Sequence, residues 1–519
     1  FSFRILIFKI KVEMKKLTIV IVFLGLIING VYANNLKIGV QSFQNLDPIV
    51  TTGTDDYQVI SSIYDTLILF TNGELLPQLA IKWEWLSDKE LRVQLRKGVK
   101  WHNGKLFSAE DVKYSFDRMK PYKTGYSWFF KAVENTKIIN NHEIIFILNN
   151  PDAQLPWSLA SVVASIVPKL TKSNEIDFKK NAIGTGPFQF QEWKIGEKII
   201  LSKNNNYWGK VSEIENVVFK PVADQNARLL SLRSGELDVI RQVSPDSIPQ
   251  MKKSSKFGVY PSLRHGSMQL AFNFNGGPWN KPDEDPFKDV MIRKAISFAL
   301  NYEELIALSG GLSPRVYGPV PPTLKGYPKD DRTVERYDFN LELAKGFMAQ
   351  SSLPNGFSTV LMSPPEYERE AVLVKEHLKA ININVELRVL DWGAIIPLAR
   401  DPKVRGTDFG MFYYGRSSLT PFPPGVLQKN LSTYGWKPNM FFDIGFDRLF
   451  GDVKTLPIED QMPIYAAAHT YAVDRRISAW IYQWATTYGY SSNKISNFES
   501  KEVWALFLDM MRINYIQLK

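Results

Sequence analysis

Residues 95–119 read LRKGVKWHNGKLFSAEDVKYSFDRM, and turn, cap and helix signals follow one another in this segment without a gap. Alternating apolar and polar side chains over 91–101 predict a half-buried strand. An Asn-Gly pair follows, and it favours a tight turn because both residues tolerate a positive φ. Ser108 and Asp111 stand three residues apart, approximating a capping box, so a helix should begin after Ser108. The segment therefore predicts a strand, a turn and a helix.

The same segment contains His102 and the adjacent acids Glu110 and Asp111, which raises the question of catalysis. Side chains of adjacent helical residues point about 100° apart, so these two acids cannot face one reacting bond. In the first turn of a helix, negative charge is favoured by the helix dipole. We therefore interpret His102, Glu110 and Asp111 as structural.

The segment resembles the signature segment of the large extracellular solute-binding proteins of peptide- and nickel-type ABC importers, known as family 5. Further stretches that resemble family segments follow in the family's order along nearly the whole chain. They are LDP at 46–48, IYDTL at 63–67, GTGPF at 184–188, NYWG at 206–209, SGELD at 234–238 and FKDVMIRKAISFAL at 287–300.

The resemblance implies an α/β, periplasmic-binding-protein-like fold with two lobes, a hinge and an extra domain inserted in lobe I. Local patterns agree with an α/β chain, since strand-like and helix-like runs occur along it. The strand-like runs are 36–40, 143–148, 198–202, 216–220 and 384–390, and the helix-like runs are 290–309, 341–351 and 367–380. The implied domains are lobe I at 34–74, 181–274 and 485–519, the inserted domain at 75–180, and lobe II at 275–484.

Residues 14–33 read MKKLTIVIVFLGLIINGVYA, which predicts a secretory signal peptide cleaved after Ala33. Residues 1–13 precede the first methionine as an N-terminal extension. The chain has no cysteine, so we expect neither disulfides nor a lipidated cysteine. These features favour a free periplasmic protein, which we expect to be a monomer.

The sequence gives little support for an enzyme. None of the five histidines forms a zinc-binding spacing, and neither a P-loop nor a nucleophile elbow is present. The net charge of +10 is scattered rather than clustered, which argues against nucleic acid as a partner. We expect no cofactor and no metal. A secreted enzyme with acids distant in sequence, and a periplasmic sensor that presents ligand to a receptor, stay open as alternatives.

The resemblance implies three ligand-binding regions. In the first, Thr51, Thr52 and Gly53 match a stretch that hydrogen-bonds ligand. In the second, Arg369 occupies the position of an arginine that binds a ligand carboxylate, to which a guanidinium offers a planar fork. The alternative for Arg369 is an exposed helix arginine paired with Glu366 or Glu370.

The third region is 409–425, interpreted as a loop that offers Tyr413, Tyr414, Arg416 and Ser417. Peptide-binding relatives carry an aspartate here for the peptide ammonium, whereas this chain has no acid between residues 408 and 443. An arginine among tyrosines and serines suits an anionic group. Trp392 and Trp436 are further aromatic candidates.

The sequence therefore predicts the binding component of an ABC importer, without catalytic residues. Its expected ligand is a small peptide or an anionic peptide-like or opine-like solute, delivered to the permease subunits by transient docking.

Overall fold

The structure is a computed structural model, and it describes most of the chain after residue 33. The described residues are 34–51, 53–71, 73–121, 127–170, 177–178, 181–274, 285–328, 335–400, 409–418, 422, 426–427, 431, 444–451, 453–504 and 510–519. The predicted signal peptide, Thr52 and Trp436 lie outside them.

Strands and helices alternate irregularly along these residues. The strands are β1 (Asn35–Val40), β2 (Ile68–Thr71), β3 (Glu74–Pro77), β4 (Ala80–Ser87), β5 (Glu90–Leu95), β6 (Val133–Asn140), β7 (Glu143–Leu148), β8 (Phe188–Lys194), β9 (Lys198–Lys203), β10 (Asn216–Pro221), β11 (Val239–Arg241), β12 (Phe257–Phe272), β13 (Phe357–Ser363), β14 (Ile383–Val389), β15 (Met411–Ser417) and β16 (Ser478–Ser491). The helices are α1 (Thr54–Ile63), α2 (Ala109–Asp117), α3 (Leu155–Ser158), α4 (Gln225–Arg233), α5 (Ile248–Lys252), α6 (Val290–Ala299), α7 (Tyr302–Leu308), α8 (Leu341–Ala349), α9 (Glu368–Lys379), α10 (Trp392–Arg400), α11 (Ile444–Phe450) and α12 (Ile458–Asp474).

A mixed sheet of ten strands in the order β14-β13-β15-β12-β16-β11-β1-β10-β9-β8 forms the backbone of the fold. Two long antiparallel strands, β12 and β16, carry the chain between its two halves. Their pairing register shifts between Leu263 and Ser267, where the sheet passes from one half to the other. The two-lobe α/β fold predicted from the sequence is confirmed, and we keep lobe I, inserted domain and lobe II as names for the ranges predicted above.

The strands of the two lobes run toward each other. In lobe I, β1 is parallel to β10 and β11, and all three run toward lobe II. In lobe II, β13 is parallel to β14 and β15, which run in the opposite direction, toward lobe I. Both sets of carboxyl ends therefore border the space between the lobes, the usual place for a ligand in α/β sheets.

A second sheet, in the order β4-β5-β7-β6, lies between β3 and β8 in the chain. The segment 95–119 leaves this sheet after Leu95. Its predicted helix after Ser108 is confirmed, whereas the strand predicted over 91–101 is shorter than expected. Strand β5 ends at Leu95 and helix α2 begins at Ala109. The Asp111 carboxylate accepts a hydrogen bond from the backbone N–H of Ser108 at 2.9 Å, as a capping box requires.

His102 has a structural role, because it connects the inserted domain to lobe I. Its Nδ1 accepts a hydrogen bond from the Gly184 N–H at 3.2 Å, and its Nε2 lies 3.0 Å from the Gly186 carbonyl oxygen. Burial lowers the pKa of His102 to about 4, because desolvation disfavours the charged ring. The neutral ring with a proton on Nε2 satisfies both contacts.

Two predictions of secondary structure are wrong. The run 290–309 forms two helices, because Leu300 is extended and Asn301 caps α7 with its side chain, accepting from the Glu304 N–H. The predicted loop at 409–425 contains strand β15, which pairs with both β12 and β13.

Candidate ligand-binding cleft

On the lobe I side, the cleft begins at the loop between β1 and α1. Thr51 is buried, and its hydroxyl donates to the Asp56 carboxylate while accepting from the Gly53 N–H at 3.2 Å. The Tyr57 hydroxyl donates to the Thr51 carbonyl at 3.0 Å. These bonds fix the loop and place Gly53 as the N-cap of α1.

The first turn of α1 carries two buried acids that tie the loop down further. Asp55 pairs with Arg241 of β11 at 2.9 Å and accepts from the Gln41 N–H at 2.9 Å. Asp56 accepts from the Gln44 N–H at 2.9 Å, and burial raises its pKa. Both acids are therefore satisfied by contacts within lobe I.

On the lobe II side, the segment after β13 carries Arg369 at the start of α9. Its Nη1 donates to both carboxylate oxygens of Asp246, at 3.1 and 2.9 Å. Asp246 belongs to lobe I, so this ion pair bridges the lobes. Both side chains are more than half exposed, and the partner of Arg369 is neither of the helix neighbours considered from the sequence.

Trp392 opens α10 directly after β14. Its indole N–H donates to Glu366 at 2.8 Å, and its ring lies edge-on to Phe412 at 6.0 Å. It packs partly buried against the cluster that contains Phe412 and Tyr414. Trp392 thus lies just after the carboxyl end of a lobe II strand, and its ring packs against Phe412.

Strand β15 requires a correction to the predicted third region. Successive residues of a strand point to opposite faces, so Tyr413 lies on the opposite face from Tyr414 and Arg416. Tyr413 belongs to the main core, Tyr414 to the smaller cluster on the other face, and both are fully buried. The two tyrosines do not form one surface around a ligand.

Arg416 and Ser417 are the last residues of β15 and are half-buried, unlike the five strand residues before them. Arg416 lies opposite Ser267 and Ser417 opposite Gly266 in the register with β12. A Cβ on Gly266 would come within 1.7 Å of the Arg416 carbonyl oxygen, so glycine permits this close pairing. Arg416 therefore lies at the carboxyl end of β15, next to the shift in register between β12 and β16.

Sequence reasoning missed the residues of the crossing itself. The Arg264 guanidinium lies 4.2 Å from the centre of the Trp484 ring and donates to the Thr486 hydroxyl at 2.9 Å. The Gln483 amide donates to the Arg264 carbonyl at 2.8 Å. No local motif marks these positions, because they meet only when β12 and β16 pair.

A buried polar cluster behind Arg369 was also missed. Glu370 is 7% exposed, and burial raises its pKa. The nearby Tyr367, Tyr413 and Tyr482 have pKa values raised by burial and by the negative charge of Glu370. Because Glu370 lies in the first turn of α9, this cluster lies at the buried face of the start of that helix.

Comparison with known proteins finds relatives that cover most of the chain. The profile of "Bacterial extracellular solute-binding proteins, family 5 Middle" matches residues 74–438. The dipeptide-binding protein of Escherichia coli K12 is 28% identical over 397 residues, which cover 69% of this chain and 72% of that protein.

Two solved structures share the fold. The DppA protein of Helicobacter pylori, in complex with the peptide STSA, superposes with a TM-score of 0.74 at 24% identity, covering 93% of this chain and 98% of that one. AgaA of Agrobacterium tumefaciens R10, in complex with agropinic acid, gives 0.72 at 21% identity, covering 93% and 99%. In the part of the chain that the structure describes, every helix is too short or too polar to span a bilayer.

Proposed function

This chain belongs to the family 5 bacterial extracellular solute-binding proteins, which bind solutes for ABC importers and are not enzymes, and from that premise we propose its ligand and its place of action. The protein captures a small peptide or an anionic peptide-like or opine-like solute between its lobes. It acts in the periplasm as a free monomer after removal of the signal peptide. The closed, loaded form then docks on the permease, because the solute binds that form preferentially.

One observation carries the proposal. The carboxyl ends of β1, β10 and β11 face those of β13, β14 and β15 across the interlobe space. Gly53, Arg369, Trp392, Arg416 and Ser417 all follow or end one of these strands. This arrangement supports the proposal that residues from distant parts of the sequence bind one solute.

The class of solute is inferred from charge. Arg416 adds a half-buried cation at the end of β15, and the chain from 409 to 442 contains no acid that would pair with a peptide ammonium. An anionic group beside Arg416 would be held in a desolvated site, where a planar guanidinium binds carboxylate or phosphate well. The names of the sequence relatives support peptides as the chemical range in which to begin the search.

Native mass spectrometry of the purified protein would weigh any solute that co-purifies with it. Isothermal titration with Ala-Glu, N-acetyl-Ala-Glu and Ala-Lys then tests the class. We expect Ala-Glu to bind more tightly than Ala-Lys, and acetylation of the amine to preserve binding. Loss of binding on acetylation would instead assign the cleft to peptides with free amines.

A further inference from the structure

The inserted domain contacts lobe II at a buried polar site outside the crossing strands. The Gln154 amide donates to the Gln461 side-chain oxygen at 2.8 Å and to the Tyr465 hydroxyl at 2.7 Å. The Tyr465 hydroxyl donates to the same oxygen of Gln461 at 3.1 Å. All three side chains are buried, so the three groups form a closed triangle of hydrogen bonds shielded from water.

Two further contacts flank this triangle. The Ala153 N–H donates to the Lys454 carbonyl at 2.9 Å, and the Lys454 ammonium lies 3.3 Å from the Asp152 carboxylate. Residues 152–154 are thus held to lobe II by main chain, charge and buried amide together. A contact of this kind requires one specific relative position of the two domains.

The inserted domain is fixed to lobe I. Besides the His102 contacts, the Ile166 N–H donates to the Asp65 carbonyl at 3.0 Å. Arg118 pairs with the buried Asp47 at 2.6 Å. Any rotation of lobe II about the crossing of β12 and β16 must therefore break the triangle, since its two sides belong to different moving parts.

A chain of aromatic rings connects this contact to the cleft. Measured between ring centres, Tyr465 of the triangle lies 5.5 Å from Phe422, and Phe422 lies 5.4 Å from Trp157. Trp157 lies 5.8 Å from Phe70, and Phe70 lies 6.0 Å from His265 in the crossing. The Ser418 N–H, just past β15, donates to the His265 carbonyl at 2.9 Å. The position of the end of β15, which carries Arg416, is therefore coupled by packing to the triangle.

We propose that Gln154, Gln461 and Tyr465 form an interlobe latch that sets solute affinity without touching the solute. In the closed form the Gln154 amide nitrogen, both polar atoms of the Gln461 side chain and the Tyr465 hydroxyl are hydrogen-bonded. In a fully open form, water replaces the bonds between the lobes. Partly open states leave buried amide and hydroxyl groups unpaired and are disfavoured. The latch thus makes closure a two-state step, and its effect on affinity rests on the proposed function.

The first test needs no solute. The chain has no cysteine, so Lys89→Cys in the inserted domain and Lys345→Cys in lobe II accept spin labels without further changes. We expect Gln154→Ala to shift the distances between the two spin labels, measured by double electron–electron resonance, toward longer values. Gln350→Ala, whose amide bonds only within its own helix end, is the matched control. Identical distance distributions for wild type and Gln154→Ala would overturn the latch.

The second test measures binding of Ala-Glu by stopped flow. Gln154→Ala removes two interlobe hydrogen bonds, so we expect roughly a 10- to 100-fold faster dissociation with association changed less than about 3-fold. Tyr465→Phe, which removes only a hydroxyl, should give a smaller change in the same direction. An unchanged dissociation rate in both variants would contradict the latch. If Ala-Glu does not bind wild type, the proposed solute class fails while the distance measurement still decides the latch.

Discussion

At the scale of single residues, Arg416 differs from the rest of its strand. The side chains from Met411 to Tyr414 are buried in two cores, whereas Arg416 is half-buried at the carboxyl end of the strand. Its charge also lies close enough to Tyr414 to oppose the rise in the pKa of that phenol, which burial causes. A cation in this position would be costly in a cleft built for a peptide ammonium.

Replacing Arg416 by alanine should weaken binding of the acidic solute by roughly 30-fold to several thousand-fold, because an anion is left unpaired in the closed cleft. Arg416→Lys should restore only part of this, since an ammonium lacks the bidentate fork. Isothermal titration measures both. Arg388→Ala, an exposed arginine of the same lobe paired with Glu386, should have no effect. Unchanged affinity in Arg416→Ala would remove this residue from the site.

The buried histidines predict a pH dependence of stability. His102 titrates near its ordinary pKa of about 6.5 when unfolded and at about 4 when folded. Between these values the unfolded chain binds more protons, so the free energy of unfolding falls as the pH is lowered through the window and levels off below it. For His102 the loss is about 3 kcal/mol.

Chemical denaturation of wild type and His102→Gln at pH 7, 5.5 and 4.5 would measure this. The variant should be less stable at pH 7 but lose less stability toward pH 4.5. His265 and His469, whose pKa values are also lowered by burial, contribute equally to both proteins and cancel in the comparison. Parallel curves for the two proteins would refute the assignment.

At the scale of elements, the approach of α1 to the 184–186 turn depends on glycine. A Cβ on Gly184 would lie 1.8 Å from the Ile63 carbonyl oxygen, and the Gly186 N–H donates to that oxygen at 2.8 Å. The end of α1 and this turn are thus in backbone contact. The same turn holds His102, so three elements meet at two glycines.

Gly184→Ala should lower the free energy of unfolding by about 3 kcal/mol or more, because backbone must move to admit the methyl group. Gly346→Ala is the matched control: it lies in α8 with open space around its Cβ, and it should raise stability by about 0.5–1 kcal/mol. Urea unfolding followed by circular dichroism distinguishes the two. Equal effects of the two substitutions would contradict the proposed contact.

At the scale of the whole molecule, contacts of two kinds bridge the lobes outside the crossing strands. The latch is buried, whereas the ion pair between Arg369 and Asp246 is exposed. Exposed pairs contribute only about 0–1 kcal/mol, whereas buried and fully paired polar groups resist partial opening. The two contacts should therefore affect closure unequally.

Arg369→Ala is expected to weaken solute binding by no more than about 5-fold, as the loss of an exposed pair implies. Asp246→Ala should have a similar effect, and the double variant should add nothing to either. Titration calorimetry on the four proteins completes this cycle. A loss above about 30-fold for Arg369→Ala alone would instead support its predicted role in binding a ligand carboxylate.

The sequence by itself determined the class of fold and the local structure of its clearest segment. Capping, turn and alternation signals act over a few residues, so β5, α2 and the structural roles of His102 and Asp111 could be predicted from them. Spaced motifs along the chain were enough to identify the family. Strand β15 could not be recognised, because a strand buried on both faces lacks alternation.

Only the tertiary structure decided what these residues face. Whether Tyr413 and Arg416 share a surface depends on the pleat of β15, and the partner of Arg369 depends on how lobe II lies against Asp246. The latch joins Gln154 to Gln461 across 307 positions of sequence. Such contacts arise from packing between distant segments, and no short-range pattern in the sequence encodes them.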